Sequence, residues 1–350
     1  MAADNIRIGI IGAGSNTREA HIPKLQAIEG VQIVEVANRT TASAQKVADE
    51  FKIPTVRNNW QEVINSKEVD AVVIGTWPYL HSEATCMALE AGKHVLCEAR
   101  MAMDEVEART MLKAAYSNPQ CVVQIVPSPF TLHADPILLK MLDSGEIGTP
   151  RFFRFEYQAP PSVPPGGLLH WRRNKKYSGS NIMVLGMIYE SLLRWFGSAE
   201  WVNAHAEVIN NRAVDPETNE EVDVEIPDYL SVQMKMTNGI MGSLFLHELS
   251  TRPVSSSIKI YGDTGFFHLD FEMGGKLYKS TSPFNELNEV QITPDKAGKL
   301  RAEEEFINTI RGLEDTEFTT FTTGVEYMKF TQAVNESFNS DGERIIIPPG

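Results

Sequence analysis

Ile6–Thr17 reads I-R-I-G-I-I-G-A-G-S-N-T. An apolar, β-branched run ends in glycines and passes into the helix-like Arg18–Ile28. This is the order strand, tight turn, helix N-terminus, where α/β proteins hold a pyrophosphate. Gly12 and Gly14 let the backbone approach phosphates. The N–H groups of the first helical turn, over Ser15, Asn16 and Thr17, have no preceding turn to bond and point at the same place. A glycine fingerprint is weak by itself, so its context decides.

That context is a regular alternation. Val31–Ala37, Thr55-Val56, Ala71–Ile74, His94–Cys97 and Val122–Val126 read as buried strands. Ser43–Phe51, Trp60–Asn65, His81–Ala91 and Glu105–Tyr116 read as the helices between them. Strands alternating with helices predict a parallel sheet with ligands at the strand carboxyl ends. Those ends carry Asn38, Arg39 and Thr40, then Gly75, Thr76, Trp77 and Tyr79, then Glu98, Ala99 and Arg100, and finally Pro127–Phe130. An acidic residue after the second strand usually takes the ribose hydroxyls of NAD. Asn38 carries no charge to repel a phosphate, while Arg39 offers a guanidinium and Thr40 a hydroxyl. The expectation is therefore NADP as the preferred cofactor, with NAD possible.

After Val126 the texture changes, and Pro127-Ser128-Pro129 marks the expected boundary between a domain 1–126 and a domain 127–350. Pro136–Asp143 reads as a helix, Arg151–Tyr157 as a strand, and the proline-rich Ala159–Gly167 as a loop within a patterned domain. An apolar helix Ile182–Phe196 follows. Val202–Ile209, Tyr229–Lys235, Ile240–Leu246, Ser256–Tyr261 and Phe266–Asp270 read as strands, with short ones near Lys276 and Val290. The acidic Asn210–Asp228 reads as an exposed hairpin excursion. Helices Leu300–Gly312 and Thr323–Ser337 finish the chain. The fold class is α/β: a Rossmann domain plus an α+β domain with a large open, mainly antiparallel sheet.

Composition narrows the function. The 350 residues suggest about two domains. A net charge of -14 argues against non-specific binding to nucleic acid or an anionic membrane. No apolar run approaches a membrane span. The N-terminus, M-A-A-D-N-I-R, lacks a signal pattern, so a cytoplasmic protein is expected. Cys86, Cys97 and Cys121 show no metal spacing, and no metal is expected.

The whole pattern resembles the glucose–fructose oxidoreductase/inositol dehydrogenase/rhizopine catabolism (Gfo/Idh/MocA) family. The residues that carry the resemblance begin with Gly9-Ile-Ile-Gly12-Ala-Gly14, His81, and Ala88 through Gly92 to Glu98. Gly145–Gly148, Trp171-Arg172, Leu192–Trp195, Phe306…Gly312 and Ser337…Gly342…Ile347 continue it. The resemblance implies an NAD(P)-binding Rossmann domain and oxidation or reduction of sugars, inositols and related polyols. It implies a homodimer or homotetramer through the open sheet. It also implies that His81, Glu98, Ala99, Arg100, Trp171 and Arg172 lie around the dinucleotide.

The family's usual acid–base groups do not carry over. Its Glu-Lys-Pro reads Glu98-Ala99-Arg100 here, and alanine cannot move a proton. Its helical Asp and His become Val184 and Ile188. Arg100, always protonated, would bind an anion or a developing oxyanion. Helical geometry puts Asn181, Val184, Ile188 and Ser191 on one face, with Tyr189 about 100° away. The replacement acid or base is expected among Tyr189, His170, His133 and Glu190, in that order. Tyr79, Phe130 and His247, with Trp77 and Trp171, are candidates for the substrate wall. The expected function is an NAD(P)-dependent oxidoreductase on a sugar, sugar derivative or small polyhydroxylated carbonyl compound. The alternatives are a lyase, epimerase or glycosidase that uses bound NAD(P) transiently through a keto-sugar, and a non-catalytic NADP-binding protein.

Overall fold

The computed structural model describes residues 5–271, 275–282 and 286–349; the tetrapeptide 1–4, part of the targeting reading, lies outside it. The chain forms two compact units, Met1–Pro127 with Arg301–Met328, and Ser128–Leu300 with Lys329–Gly350.

The first unit is built on β1 (Ile6–Ile11), β2 (Val31–Ala37), β3 (Thr55–Val56), β4 (Ala71–Ile74), β5 (His94–Cys97) and β6 (Val123–Ile125). They lie in the order β3-β2-β1-β4-β5-β6, every pair parallel. All four residues of β4 are buried, as a strand covered on both faces requires. The order reverses at β1, between β2 and β4, which opens a crevice at their carboxyl ends. The covering helices are α1 (Ile22–Gln26), α2 (Thr41–Phe51), α3 (Trp60–Ile64), α4 (His81–Glu90) and α5 (Glu105–Ser117). Thr40, Asn59 and Asp104 cap α2, α3 and α5, each accepting the N–H three residues on. The expected single helix after the glycine turn departs from the reading. It opens with a π-helical turn, Thr17–His21, before α1. The wider turn carries His21 inward, where it is buried.

The second unit holds β7 (Pro150–Gln158), β8 (Ala199–Glu207), β9 (Arg212–Val214), β10 (Glu221–Asp223), β11 (Tyr229–Met236) and β12 (Met241–His247). It continues with β13 (Ser255–Gly262), β14 (Phe266–Asp270), β15 (Lys276–Ser280), β16 (Asn288–Val290) and β17 (Ile345–Ile346). Nine of them form one sheet, in the order β16-β15-β14-β13-β7-β12-β11-β8-β17. Only the β7–β12 pair is parallel; the other pairs run antiparallel. β9 and β10 make the expected separate hairpin. Its helices are α6 (Asp135–Asp143), α7 (Lys175–Ser178) and α8 (Leu185–Phe196).

Alternation divides the sheet into two faces. Phe153, Phe155 and Tyr157 of β7 and Leu244 and Leu246 of β12 are buried on one face. There Phe196 of α8 stacks on Phe153, with centroids 4.9 Å apart. The opposite face carries Phe245 beside Tyr229 at 5.6 Å and Tyr261 beside Phe152 at 5.9 Å. α8 begins at Leu185, after Met183 at φ +44°. Asn181 therefore sits in the preceding turn, and the expected helical face joining it to Ile188 does not extend that far.

The last helices are α9 (Ala302–Ile310) and α10 (Phe321–Asn339). The sequence divided the chain once, at 126, but α9 belongs to the first unit. Its apolar face explains this: Phe306 and Ile307 are fully buried in one core with Ile8, Ile10, Val36 and Leu96. Glu305, also buried, accepts Gln124 Nε2–H at 2.7 Å and Phe318 N–H at 3.1 Å. The returning segment is thus bonded to the β6 edge as well as packed on the core.

Candidate dinucleotide cleft and polar clusters

A cleft of about 550 Å³ opens at the carboxyl ends of β1, β2 and β4. Gly12, Gly14, Asn38, Arg39, Thr76 and Trp77 are among its walls, with Tyr79 and Glu83 beyond. Gly12 turns the chain at φ +82°. A Cβ there would stand 2.9 Å from the Thr76 backbone nitrogen. Gly75 is as constrained, because its Cβ would fall 2.1 Å from Thr17 Oγ1. Thr17 is buried against this turn, its hydroxyl donating to Gly12 O at 3.2 Å. Through this hydroxyl it supports the loop from behind. The cleft has the chemistry a dinucleotide needs. Its floor is bare backbone at a helix start, and the buried Thr76 Oγ1 on its wall has no partner among the described residues.

Asn38 faces inward from the end of β2. Ala13 N–H donates to its Oδ1 at 2.6 Å, so the side chain that replaces the usual acid is tied to the glycine loop. What it retains for a ligand is its N–H donors. Arg39 is exposed and its guanidinium lies 5.8 Å from the Trp77 ring centroid. Thr40 is engaged in capping: Ser43 N–H donates to Thr40 Oγ1 at 3.2 Å. It is not among the residues lining the cleft.

His81 is fully buried. Its Nδ1 meets Arg100 O at 2.9 Å and its Nε2 meets Thr76 O at 3.0 Å, joining the ends of β4 and β5. Burial lowers its pKa, so it acts as a pin inside the unit rather than as a surface cation. Arg100 is buried as well, and Ala99 is half-buried. Neither is among the residues lining the cleft.

Beside the loop lies a cluster that no local spacing announces. His21 Nε2 is 2.8 Å from Glu98 Oε1, and His21 Nδ1 is 2.6 Å from Glu303 Oε1. Asn16 Nδ2 donates to the same Glu98 oxygen. Lys24 Nζ stands 3.3 Å from Glu303 Oε2. Burial alone would lower the His21 pKa, but the hydrogen bonds to Glu303 and Glu98 outweigh it and raise it to about 9. Burial would likewise raise Glu98 and Glu303, yet His21 holds both below the usual carboxylate range. His21 and Glu303 are 282 positions apart, so only the fold reveals the pair.

In the second unit, the expected proton carriers are mostly committed to structure. Tyr189 is 1% exposed, with its ring stacked on Phe330 at 3.7 Å. Its hydroxyl accepts the Ala199 N–H at 2.7 Å. The tyrosine ranked first is thus placed as a core residue. Tyr189→Phe is expected to cost about 1–3 kcal/mol of stability, by orphaning a buried N–H, and to leave turnover unchanged. Thermal unfolding beside steady-state kinetics checks this, and a large fall in turnover at unchanged stability would restore it to the mechanism. Glu190 is buried, accepting Ser128 N–H at 3.0 Å and Arg194 Nη1–H at 2.8 Å, so it too is placed structurally. His133 is exposed.

His170 is half-buried with its ring 5.7 Å from that of Trp171, and burial beside Arg172 lowers its pKa. Arg172 lies 4.3 Å over the Trp171 ring. Neither Trp171 nor Arg172 lines the cleft of the first unit. Phe130 meets Tyr157 edge-on at 6.4 Å. His247 alternates onto the open face, 5.5 Å edge-on to Phe245, so it is separated from the Phe130–Tyr157 side that the sequence grouped it with.

Two residues here escaped the sequence reading. Tyr157 and Glu248 come from the ends of the parallel neighbours β7 and β12, where Tyr157 pairs with Leu246. Both are 7% exposed. Ser162 Oγ–H donates to Glu248. Burial pushes the Tyr157 phenol up to about 12, Glu248 adding to the rise and Arg172 opposing it. A tyrosine ending an apolar strand before a proline-rich loop gave no signal of its own.

Among the described residues, no group of three His, Cys, Asp or Glu side chains could hold a metal ion. Among them, no helix is long and apolar enough to cross a membrane.

Residues 6–126 match the model described as the oxidoreductase family, NAD-binding Rossmann fold, of Gfo/Idh/MocA. Residues 138–268 match the Gfo/Idh/MocA C-terminal domain. An uncharacterised oxidoreductase of Synechocystis is 26% identical over 266 residues, 75% of this chain and 70% of that one. Inositol 2-dehydrogenase of Salmonella paratyphi B is 28% identical over 191 residues, and the match spans 49% of this chain and 56% of the enzyme's length. The solved structure of levoglucosan dehydrogenase with NADH and levoglucosan superposes with a TM-score of 0.86 at 20% identity, over 99% of this chain and 100% of that one. At that identity the likeness is one of fold.

Proposed function

We propose, from the premise that this chain belongs to the Gfo/Idh/MocA oxidoreductase family, that it is an NAD(P)-dependent oxidoreductase acting on a sugar or a related polyhydroxylated carbonyl compound. The observation that carries this is the cleft at the β1/β2/β4 switch point, with its tight Gly12 turn and a Thr76 hydroxyl that has no partner among the described residues. The related levoglucosan dehydrogenase holds NADH and a sugar, and a second relative is an inositol dehydrogenase. A nicotinamide dinucleotide accepts or supplies a hydride when bound. The protein has to bind and orient the substrate and to handle its hydroxyl proton.

Ala99, Val184 and Ile188 stand, in our reading, where the family's usual proton carriers would be, and their side chains carry no proton to transfer. In our reading Tyr157, whose phenol stays protonated through neutral pH, donates a hydrogen bond to a substrate oxygen. Glu248 accepts from substrate hydroxyls. Trp171 and Phe130 offer ring faces and edges to the apolar side of a sugar. His170 remains a second proton carrier. The open sheet face around Phe245, Tyr229 and Tyr261 is the surface for a second copy of the chain, giving a homodimer or homotetramer.

NADP is favoured at the end of β2, because Asn38 keeps only donors for a ligand and Arg39 adds a cation. Arg39→Ala is expected to weaken NADPH binding about tenfold and NADH binding less than about twofold. Fluorescence titration with both dinucleotides reads this; tighter NADH binding by the wild type would remove the preference.

Turnover of levoglucosan, L-sorbose and myo-inositol, followed by cofactor absorbance and product NMR, tests the activity. Hydride transfer to or from one of these classes is expected. Product without net absorbance change would instead mark a lyase or epimerase. Dinucleotide binding with no product from a broad sugar panel would mark a binding protein.

A further inference from the structure

The Asn16–His21–Glu98–Glu303 cluster has no partner in the chemistry described so far, yet it borders the dinucleotide turn. Its members come from four places: the helical start after Gly14, the π-turn, the residue after β5, and α9. We propose that His21 and Glu303 are positioning residues for the dinucleotide, acting through Glu98 and Asn16 to hold the glycine turn in its binding shape. The proposal rests on the reading that the cleft takes NAD(P).

Charge balance is the physical basis. Two carboxylates, Glu98 and Glu303, flank one imidazolium, and the half-exposed Lys24 faces the outer oxygen of Glu303. His81 and the Cys97 thiol, both buried nearby, also interact electrostatically with Glu98. With His21 protonated, each ring N–H donates to one carboxylate. With His21 neutral, one carboxylate loses its donor, and the buried Glu303 and the part-buried Glu98 face each other as negative charges across a neutral ring. Glu98 then no longer stays in place to accept the Asn16 amide, and the first helical turn is released. The π-turn fits this account. A regular α-turn would rotate His21 about 100° per residue along a tighter spiral and carry the ring off the Glu98–Glu303 line.

The signs follow from the directions of the shifts. The carboxylates favour the folded arrangement above their ordinary range near 4.5 and lose it as pH falls below that. His21 favours it fully below its ordinary 6.5 and loses it as pH rises through about 9. The network is therefore strongest between these ordinary values and fails on the alkaline side.

The test uses the full-length protein, NADH as probe, and the variants Glu303→Gln and His21→Gln. Glu303→Gln keeps the size and one hydrogen bond but removes a charge. It is expected to weaken NADH binding about tenfold at neutral pH. It should also move the alkaline fall in affinity, near pH 9 in the wild type, down by about one unit. His21→Gln is expected to weaken binding and to abolish that alkaline fall. A purely structural role would change thermal stability without moving the pH midpoint. Variants that bind NADH like the wild type, with the same midpoint, would overturn the inference while leaving the cofactor reading intact. Failure of the wild type to bind either NADH or NADPH would overturn both.

Discussion

Gly12→Val is expected to weaken NADH binding by about a hundredfold or more, on the order of 3 kcal/mol. The backbone there is at φ +82°, a region that costs an L side chain roughly 1–2 kcal/mol and a β-branched one more. The added Cβ would also stand 2.5 Å from Thr76 Cγ2 and 3.1 Å from the Gly75 carbonyl carbon. Thr76 could turn its methyl away, but the Gly75–Thr76 backbone directly follows β4 and is tied to β1 by Gly75 N–H donating to Ile11 O at 2.8 Å. The loop must therefore shift, and it takes its N–H groups with it. Titration of the variant with NADH, beside a thermal melt to show that it folds, reads the effect. Affinity within threefold of the wild type would mean that the turn does not hold the phosphates.

Phe306→Ala should lower stability by about 3–5 kcal/mol. Phe306 is fully buried and shares a core with residues of β1, β2 and β5, more than two hundred positions away in the chain. Removing its ring leaves a cavity that Ile8 and Ile10 cannot fill, because strands in a parallel sheet have little freedom to collapse. Urea titration checks it. A loss below about 1 kcal/mol would mean that α9 does not complete the core of the first unit.

The first unit was legible because its signals are local. Glycine turns, buried β-branched runs and strand–helix alternation give β1 to β6 almost residue for residue. The cleft followed from them, and Gly12, Gly14, Asn38, Arg39, Gly75, Thr76, Trp77 and Tyr79 all line it. The sheet of the second unit was equally plain from period-two alternation. What resisted reading was long-range. Nothing at Phe306 says which core it completes. The sequence alone makes Tyr189 a candidate, but a side chain's task depends on what stands opposite it. Opposite it are Phe330 and the Ala199 N–H. Thr40 and Thr17 carry the residue types a phosphate wants, and the helix cap and the β4 turn claim them first.

The return of α9 to the first unit has a consequence for how the protein is made. A ribosome releases the glycine turn and all six parallel strands long before it reaches Phe306. Until then the sheet lacks part of its apolar cover, and His21 and Glu98 wait for Glu303 to complete their bonds. The second unit, whose sheet is largely encoded between those two events, can assemble while the first is still open. Synthesis and folding therefore run in different orders. The nascent chain is most exposed to aggregation and to capture by chaperones in the interval before α9 emerges.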